Sequence, residues 1–307
     1  MALDDQIIAV LDETGEDDPR DAIRAKAREH IALYHGTFGG KPPFNMEALA
    51  SLRGILPSSE PPAHSPDAEL QPDGDGRVHL RLNRNRPVTR QRFSVGHEII
   101  HTFFPGYENK VQCRKPKSRD WSDPDDVIEV LCDIGASELL LPLPWFQDDA
   151  AKLGDSAEGI ARLANEYQAS LEATIRRIID LSDQPMAAVF FRWKLKPTQK
   201  RRGIGRADQL SLFGDDPVEE AKSYLKLRVD YALATDDFGL HIPVDKSIES
   251  KGIIFDASQG NRCLDATEEL DLGPCRGRFK INAIPVFTDD EIEGPNGERA
   301  VVAVLRR

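Results

Sequence analysis

The sequence contains little cysteine and no long apolar segment. Its four cysteines, Cys113, Cys132, Cys263 and Cys275, show no C-x-x-C spacing, so a structural zinc ribbon is not predicted. No run of 18 apolar residues occurs that could span a bilayer, and the first residues do not resemble a signal peptide. We therefore expect a cytoplasmic protein with reduced thiols and no membrane partner.

Basic residues are also in deficit. Lys and Arg number 40 against 52 Asp and Glu, which gives a formal net charge of −12 at pH 7. Such a charge disfavours general binding to nucleic acid or to an anionic membrane, so direct DNA binding is not expected. With 307 residues, 40% of them hydrophobic and 30% charged, the chain has the composition of a soluble globular protein and the length of two domains.

Residues 97 to 101 read His-Glu-Ile-Ile-His, the H-E-x-x-H pattern of zinc hydrolases. On a helix, His97 and His101 are one turn apart, so both imidazoles can face one cation. Glu98 leaves the helix beside them, where a carboxylate can accept a proton from a water that the metal activates. Two surface histidines would give the same pattern by accident. Here the flanks are apolar, and buried histidines need a partner such as a metal.

A hydrolytic zinc site has three protein ligands and one open position, so a third ligand is expected further along the chain. Residues 123 to 141 predict a helix that begins at an aspartate cap and ends before a proline. In this helix we predict Glu129 as the third zinc ligand and Asp133 as the acceptor that orients a ligand histidine. The spacing leaves other ligands open: Asp125, Asp126, Cys132 and Glu108.

Together these segments resemble the ImmA/IrrE family of metallo-endopeptidases, most closely the radiation-response regulators of the IrrE type. The residues that carry the resemblance are Arg92-Phe93-Ser94-x-x-His97-Glu98-x-x-His101, Glu129-x-x-Cys132-Asp133 and Leu139-Leu140-Leu141-Pro142. The likeness covers residues 20–195. Two positions depart from the family pattern: Gly96 stands where alanine is usual, and Asp133 stands where asparagine is usual.

The resemblance implies an α+β, zincin-like domain with gluzincin-type zinc peptidase activity. Zn²⁺ would be held by His97, His101 and Glu129, and Glu98 would be the catalytic base. The implied substrate is one specific helix-turn-helix repressor, whose cleavage would switch on stress, DNA-damage or mobile-element genes. Two rival functions stay open: a non-catalytic regulator whose metal site is closed by Cys132 or Cys113, and a DNA-binding transcription factor.

The segments before the motif predict further local structure. Residues 1–18 are rich in acids and predict a frayed end or a solvated helix start, after which Asp18-Pro19 opens a helix. Asn45 predicts the cap of a short helix. Residues 68–82 predict a β-hairpin around Pro72-Asp73-Gly74-Asp75-Gly76. Its second strand, 77–82, is interpreted either as an edge strand that holds an extended substrate or as a strand that only shields the core.

Residues 156–181 show helix-turn-helix spacing and close a peptidase domain predicted over 1–184. In this segment acids outnumber bases, which favours a packing or protein-docking role over DNA binding. Residues 185–307 predict a second, mixed α+β domain with a strand at 186–195 and a closing hairpin at 279–287 and 299–305. The family resemblance implies a GAF-like sensor there.

One further motif lies in the second domain. Gln209-Leu210-Ser211-Leu212-Phe213 resembles the short peptide Q-L-[SD]-L-F with which bacterial proteins dock on the sliding clamp of DNA polymerase. Leu212 and Phe213 would be its apolar anchors, and Gln209 would fix the register of the peptide on the clamp through hydrogen bonds. The alternative is a short strand that buries Leu210, Leu212 and Phe213 in the core.

Overall fold

The computed structural model describes residues 5–65, 67–73, 75–109, 111–113, 124–201, 224–286, 294 and 297–307. It contains two compact units. The first comprises residues 1–149 and 164–174, and the second comprises residues 150–163 and 175–307. The predicted domain boundary at residue 184 stays a prediction, and each unit is described by itself.

The first unit combines helices with a small sheet. Its helices are α1 (Asp5–Thr14), α2 (Pro19–Phe38), α3 (Met46–Ser51), α4 (Val88–His101) and α5 (Pro124–Leu140), and its strands are β1 (Ile55–Pro57), β2 (Ala68–Pro72), β3 (Val78–Leu82) and β4 (Gln112–Cys113). Three further helices each have residues in both units: α6 (Trp145–Leu153), α7 (Ala157–Glu166) and α8 (Leu171–Asp180). Within the described ranges, no helix is both long and apolar enough to cross a bilayer.

Side-chain caps set the starts of two helices where the sequence predicts them. The Asp18 carboxylate accepts a hydrogen bond from the Arg20 amide at 2.7 Å, and Pro19 occupies the first turn of α2. The Asn45 side-chain oxygen accepts from the amides of Glu47 and Ala48 at the start of α3. Both caps use amide groups that have no partner inside the helix.

The acid-rich amino-terminal segment differs from its prediction. Residues 5–14 form a regular helix, α1, which buries Ile7 and Val10. The Glu13 carboxylate also pairs with the Lys26 ammonium on α2. The alternative of a frayed end is therefore wrong for these residues. They form a helix with its acids on the exposed face, as the second alternative predicted, but the helix also has a buried apolar face.

The sheet of the first unit has the strand order β1-β3-β2-β4. β2 and β3 form the predicted antiparallel hairpin, with Leu70 opposite Leu80, and β1 pairs parallel to β3. β3 therefore lies inside the sheet, and its interpretation as an edge strand is wrong. Of the four described strands, β1 and β4 form the edges.

Glycines allow α4 and α5, which pack closely in this unit, to approach each other. A Cβ atom on Gly135 would lie 2.6 Å from Ile100 Cδ1 and 2.8 Å from Ile23 Cγ2. On α4, a Cβ atom on Gly96 would lie 3.4 Å from Ala136 Cβ. The short distance between these two helices brings the H-E-x-x-H residues close to the acidic residues of α5.

We expect Gly135→Ala to lower the thermal unfolding midpoint. The added methyl group meets branched, buried side chains that cannot move aside, and overpacking of this kind costs about 1–3 kcal/mol of unfolding free energy. The matched control is Gly96→Ala, whose methyl group would lie 3.2 Å from the flexible end of Met46. Alanine also favours a helix by about 1 kcal/mol over glycine, so the control should melt at or above the wild type. A Gly135→Ala protein as stable as the wild type would contradict this packing.

The second unit is built on a five-stranded antiparallel sheet. Its elements are β5 (Met186–Lys194), α9 (Pro197–Arg201), β6 (Lys226–Ala234), α10 (Ile253–Gly260), β7 (Leu264–Leu272), β8 (Cys275–Val286) and β9 (Ala300–Arg306). The strand order is β6-β5-β9-β8-β7. The predicted strand at 186–195 and the predicted closing hairpin are both present, since β8 and β9 pair antiparallel.

The core of the second unit lies between one face of this sheet and α10. Val189 and Phe191 from β5 and Ile281 from β8 are buried in one cluster with Ile254 of α10. The unit is thus mixed α+β, as predicted. Its likeness to a GAF sensor stays a prediction. Residues 157–180 form two helices joined by residues 167–170, and the helix-turn-helix assignment of this segment likewise stays a prediction.

Candidate metal centre

Helix α4 presents the three H-E-x-x-H residues inside the first unit. His97, Glu98 and His101 are all buried. The two imidazole rings lie on the same side of the helix, with centroids 4.9 Å apart. Buried imidazoles next to a buried carboxylate are polar groups that an apolar interior does not stabilise without partners. Helix α4 therefore places two histidines and a glutamate where they could surround one metal ion.

Helix α5 places Glu129 against both histidines. One carboxylate oxygen, Oε2, lies 3.2 Å from His97 Nε2, and the other, Oε1, lies 3.6 Å from His101 Nε2. Two ligand atoms on a tetrahedral zinc ion are about 3.3–3.4 Å apart, because zinc bonds to nitrogen and oxygen are about 2.0–2.2 Å long. The distances between these three side chains thus fit a zinc ion among them.

Asp133, one turn after Glu129 on α5, contacts the other nitrogen of His97. His97 Nδ1 lies 3.0 Å from Asp133 Oδ1 and can donate a hydrogen bond to it. This contact fixes the ring orientation, so that Nε2 points toward Glu129. A carboxylate behind a histidine also makes that histidine a stronger metal ligand.

The surrounding carboxylates give the centre a preference for positive charge. Burial lowers the pKa of His97, but hydrogen bonds to Asp133 and Glu129 and the charge of Glu98 outweigh it and raise the pKa to about 9. A site that keeps a buried imidazole protonated near neutral pH favours a cation. A divalent metal ion is a larger local charge than one proton and suits the same position.

Cys132 is the second candidate for a ligand on α5. Its sulfur and ligand nitrogens of His97 and His101 all lie within 4.8 Å of one another. Burial, and then the charges of nearby carboxylates including Glu129 and Glu98, raise the pKa of the thiol well above its ordinary value. From the sequence this residue is only one of several competitors. The signal that points to it is its position three residues after Glu129, on the same helix face.

The other competitors are less well placed or lie outside the described residues. Glu108 is exposed in a short 3-10 helix, and Asp126 is half-buried in the first turn of α5. The side chains of Asp125 and Cys113 are not among those that the structure describes. The predicted clamp-docking residues Gln209, Leu210, Leu212 and Phe213 also lie outside the described residues, so their role stays a prediction.

Part of this chain is similar to a known protein family. Residues 61–178 match the peptidase M78 family, described as the IrrE N-terminal-like domain. Residues 61–178 are thus similar to a domain of the ImmA/IrrE family. The match contains all of the ImmA/IrrE residues discussed above on α4 and α5, which agrees with the resemblance read from the motifs.

Two proteins similar to this chain are radiation response metalloproteases IrrE. The protein from Deinococcus deserti is 26% identical over 165 residues, and the protein from Deinococcus radiodurans is 24% identical over 165 residues. Each alignment covers 54% of this chain, but only 56% and 48% of the respective relative. This chain therefore spans about half the length of these relatives.

The fold of this chain is similar to a solved structure described as a Mycobacterium tuberculosis transcriptional regulator. The TM-score is 0.51 at 12% sequence identity, over 98% of this chain and 80% of that chain. At this identity the likeness concerns the fold alone.

Proposed function

We propose that this chain is a cytoplasmic zinc-dependent endopeptidase that cleaves one specific helix-turn-helix repressor. Cleavage would switch on a stress, DNA-damage or mobile-element response. The observation that carries the proposal is the convergence of Glu129 on both histidines of the H-E-x-x-H helix, at distances that suit zinc. The two Deinococcus relatives are metalloproteases, which supports the same reaction.

In this proposal His97, His101 and Glu129 hold the zinc ion. When bound, zinc would polarise the scissile carbonyl and make a water molecule acidic enough to react near neutral pH. Three protein ligands are the usual number in a catalytic zinc site, which keeps one position for water or substrate. Asp133 keeps the proton of His97 on Nδ1, so that the lone pair of Nε2 stays available for the metal.

Glu98 is the proposed general base and acid. It is buried on α4 directly after His97, so its carboxylate is held close to the ligand histidines. A Glu98 oxygen would accept the proton of the attacking water and then give it to the amine nitrogen of the leaving peptide. The site lies in a buried environment, in which fixed charges act more strongly than in bulk water.

Purified helix-turn-helix repressors, including any encoded beside the gene of this chain, offer a direct test of the proposed function. The zinc-loaded protein should cut one of them at a single bond, and a chelator should stop the reaction until zinc is added back. Cleavage that continues in excess chelator, after the metal content has fallen to zero, would exclude a metal-dependent mechanism. Intact repressors with fully zinc-loaded protein would favour the non-catalytic alternative.

That alternative is a regulator that binds partners through a closed metal site. The position of Cys132 favours it, because a fourth protein ligand leaves no place for water. DNA binding has no comparable support, since the chain carries a net charge of −12. The second unit is proposed as a regulatory sensor, and residues 209–213 are proposed as a docking peptide for the sliding clamp.

We expect Asp133→Asn to weaken zinc binding by about tenfold. Asparagine can still accept the hydrogen bond from His97 Nδ1 but lacks the negative charge, and loss of such a partner typically costs about 10–100-fold in metal affinity. Competition with a fluorescent zinc chelator measures the affinity. Asp126→Asn, in the first turn of the same helix, is the matched control and should bind zinc like the wild type. Equal affinity in both variants would show that the Asp133 charge contributes nothing.

A further inference from the structure

We propose that Cys132 is a fourth protein ligand of the metal, a sulfur donor that closes the remaining coordination position in a resting state. The proposal rests on the proposed zinc site of His97, His101 and Glu129. Formation of the zinc–sulfur bond would release the thiol proton to solvent, as metal binding to a cysteine requires. The site would then alternate between a closed state with sulfur bound and an open state with a position for water.

The location of Cys132 is the first support. It follows Glu129 by three residues on α5, so the two side chains lie on the same face of the helix, toward α4. Its ligand atom and those of both histidines lie within 4.8 Å of one another. In a formed tetrahedral site a sulfur and a nitrogen are about 3.6 Å apart, given zinc–sulfur and zinc–nitrogen bonds of about 2.3 and 2.0–2.1 Å. The sulfur therefore needs to approach each nitrogen by no more than about 1 Å.

The surroundings of Cys132 are the second support. A free buried cysteine is usually a small apolar residue that fills space among other apolar side chains. Cys132 is fully buried, yet it lies beside both histidines and shares its helix with the carboxylates of Glu129 and Asp133, which contact those histidines. A neutral thiol gains little stabilisation from neighbouring carboxylates and imidazoles. A metal ion makes this set of groups compatible, because it uses the sulfur and offsets the acids.

The closed state would have a consequence for activity. Zinc with four protein ligands has the coordination of a structural site, whereas hydrolysis needs a position for water. Loss of the sulfur should therefore weaken zinc binding while the reaction itself is kept or accelerated. Loss of Glu129 should instead remove both zinc and activity. This difference separates a closing ligand from a catalytic one.

The test is the absorption spectrum of the full-length chain loaded with cobalt(II) in place of zinc. A cobalt–thiolate bond gives a charge-transfer band in the near ultraviolet. We expect this band in the wild type and in Cys263→Ala, and we expect its loss in Cys132→Ala with one cobalt ion still bound. Zinc affinity of Cys132→Ala, measured by chelator competition, should be at least about tenfold weaker than in the wild type.

Two results would overturn the proposal. The first is a cobalt-loaded wild type without the thiolate band, and the second is a band that persists in Cys132→Ala. Cys132→Ser keeps the size of the side chain and replaces the alanine variant if that variant does not fold. The spectrum needs no substrate, so it is independent of proteolysis. If the repressors stay intact while the band depends on Cys132, the proposed function fails and the sulfur ligand stands.

Discussion

Replacement of Glu98 by glutamine is expected to leave zinc bound and to slow peptide cleavage by about 10²–10⁴-fold, the usual contribution of general acid–base catalysis. Glutamine has nearly the shape of glutamate, so the buried position of this side chain should be preserved. Its amide cannot accept the proton of the attacking water. The measurement is the initial rate of repressor cleavage at equal zinc content.

Glu108→Gln is the matched control for this prediction. It makes the same chemical change at an exposed glutamate of the same unit, and its cleavage rate should equal that of the wild type. Cleavage by Glu98→Gln at the wild-type rate would rule out Glu98 as the base. A Glu98→Gln protein that has lost its zinc would instead show that Glu98 supports the metal site.

Replacement of Glu129 by alanine is expected to remove most of the bound zinc. The Glu129 carboxylate is the group that contacts both His97 and His101, so its loss leaves the two histidine nitrogens without their oxygen ligand. The loss of affinity should exceed the ~10–100-fold that follows removal of a partner behind a ligand. Metal analysis of the purified protein, together with chelator competition, measures this effect.

Asp126→Ala is the control for Glu129→Ala, because Asp126 lies on the same helix and one turn earlier. It should keep full zinc and lose only a favourable charge near the helix start. Full zinc content in Glu129→Ala would contradict the proposed ligand set. The ligands would then be His97, His101 and Cys132, the other set that the structure brings together.

The elements that the sequence predicts well are those with local signals. The caps at Asp18 and Asn45 act within three residues of themselves, and the hairpin of β2 and β3 is set by its turn. The H-E-x-x-H spacing is also local, since residues i and i+4 of a helix share one face. For these features the local sequence pattern is sufficient to predict the geometry.

Features that depend on distant parts of the chain are not predictable in the same way. β3 is an interior strand only because β1 pairs with it, with Ile55 opposite Val78. The regular helical structure of α1 depends on its contact with α2, where the Glu13 carboxylate pairs with the Lys26 ammonium. Neither contact leaves a periodic signal in the sequence.

The choice among the candidate ligands also depends on distant parts of the chain. Spacing along α5 leaves Glu129, Cys132 and the acids of the first turn as competitors. The structure brings Glu129 and Cys132 close to the two histidines, where Gly135 lets α5 approach α4. A distance between two helices is set by their packing, so a motif on either helix alone does not give it.

A crystal structure of the zinc-loaded protein with anomalous data at the zinc edge tests the central claim most directly. The account predicts one zinc peak in the first unit, about 2.0–2.2 Å from His97 Nε2, His101 Nε2 and an oxygen of Glu129. A zinc peak at any other place in the chain, or one bound to both histidines but not to Glu129, would contradict it.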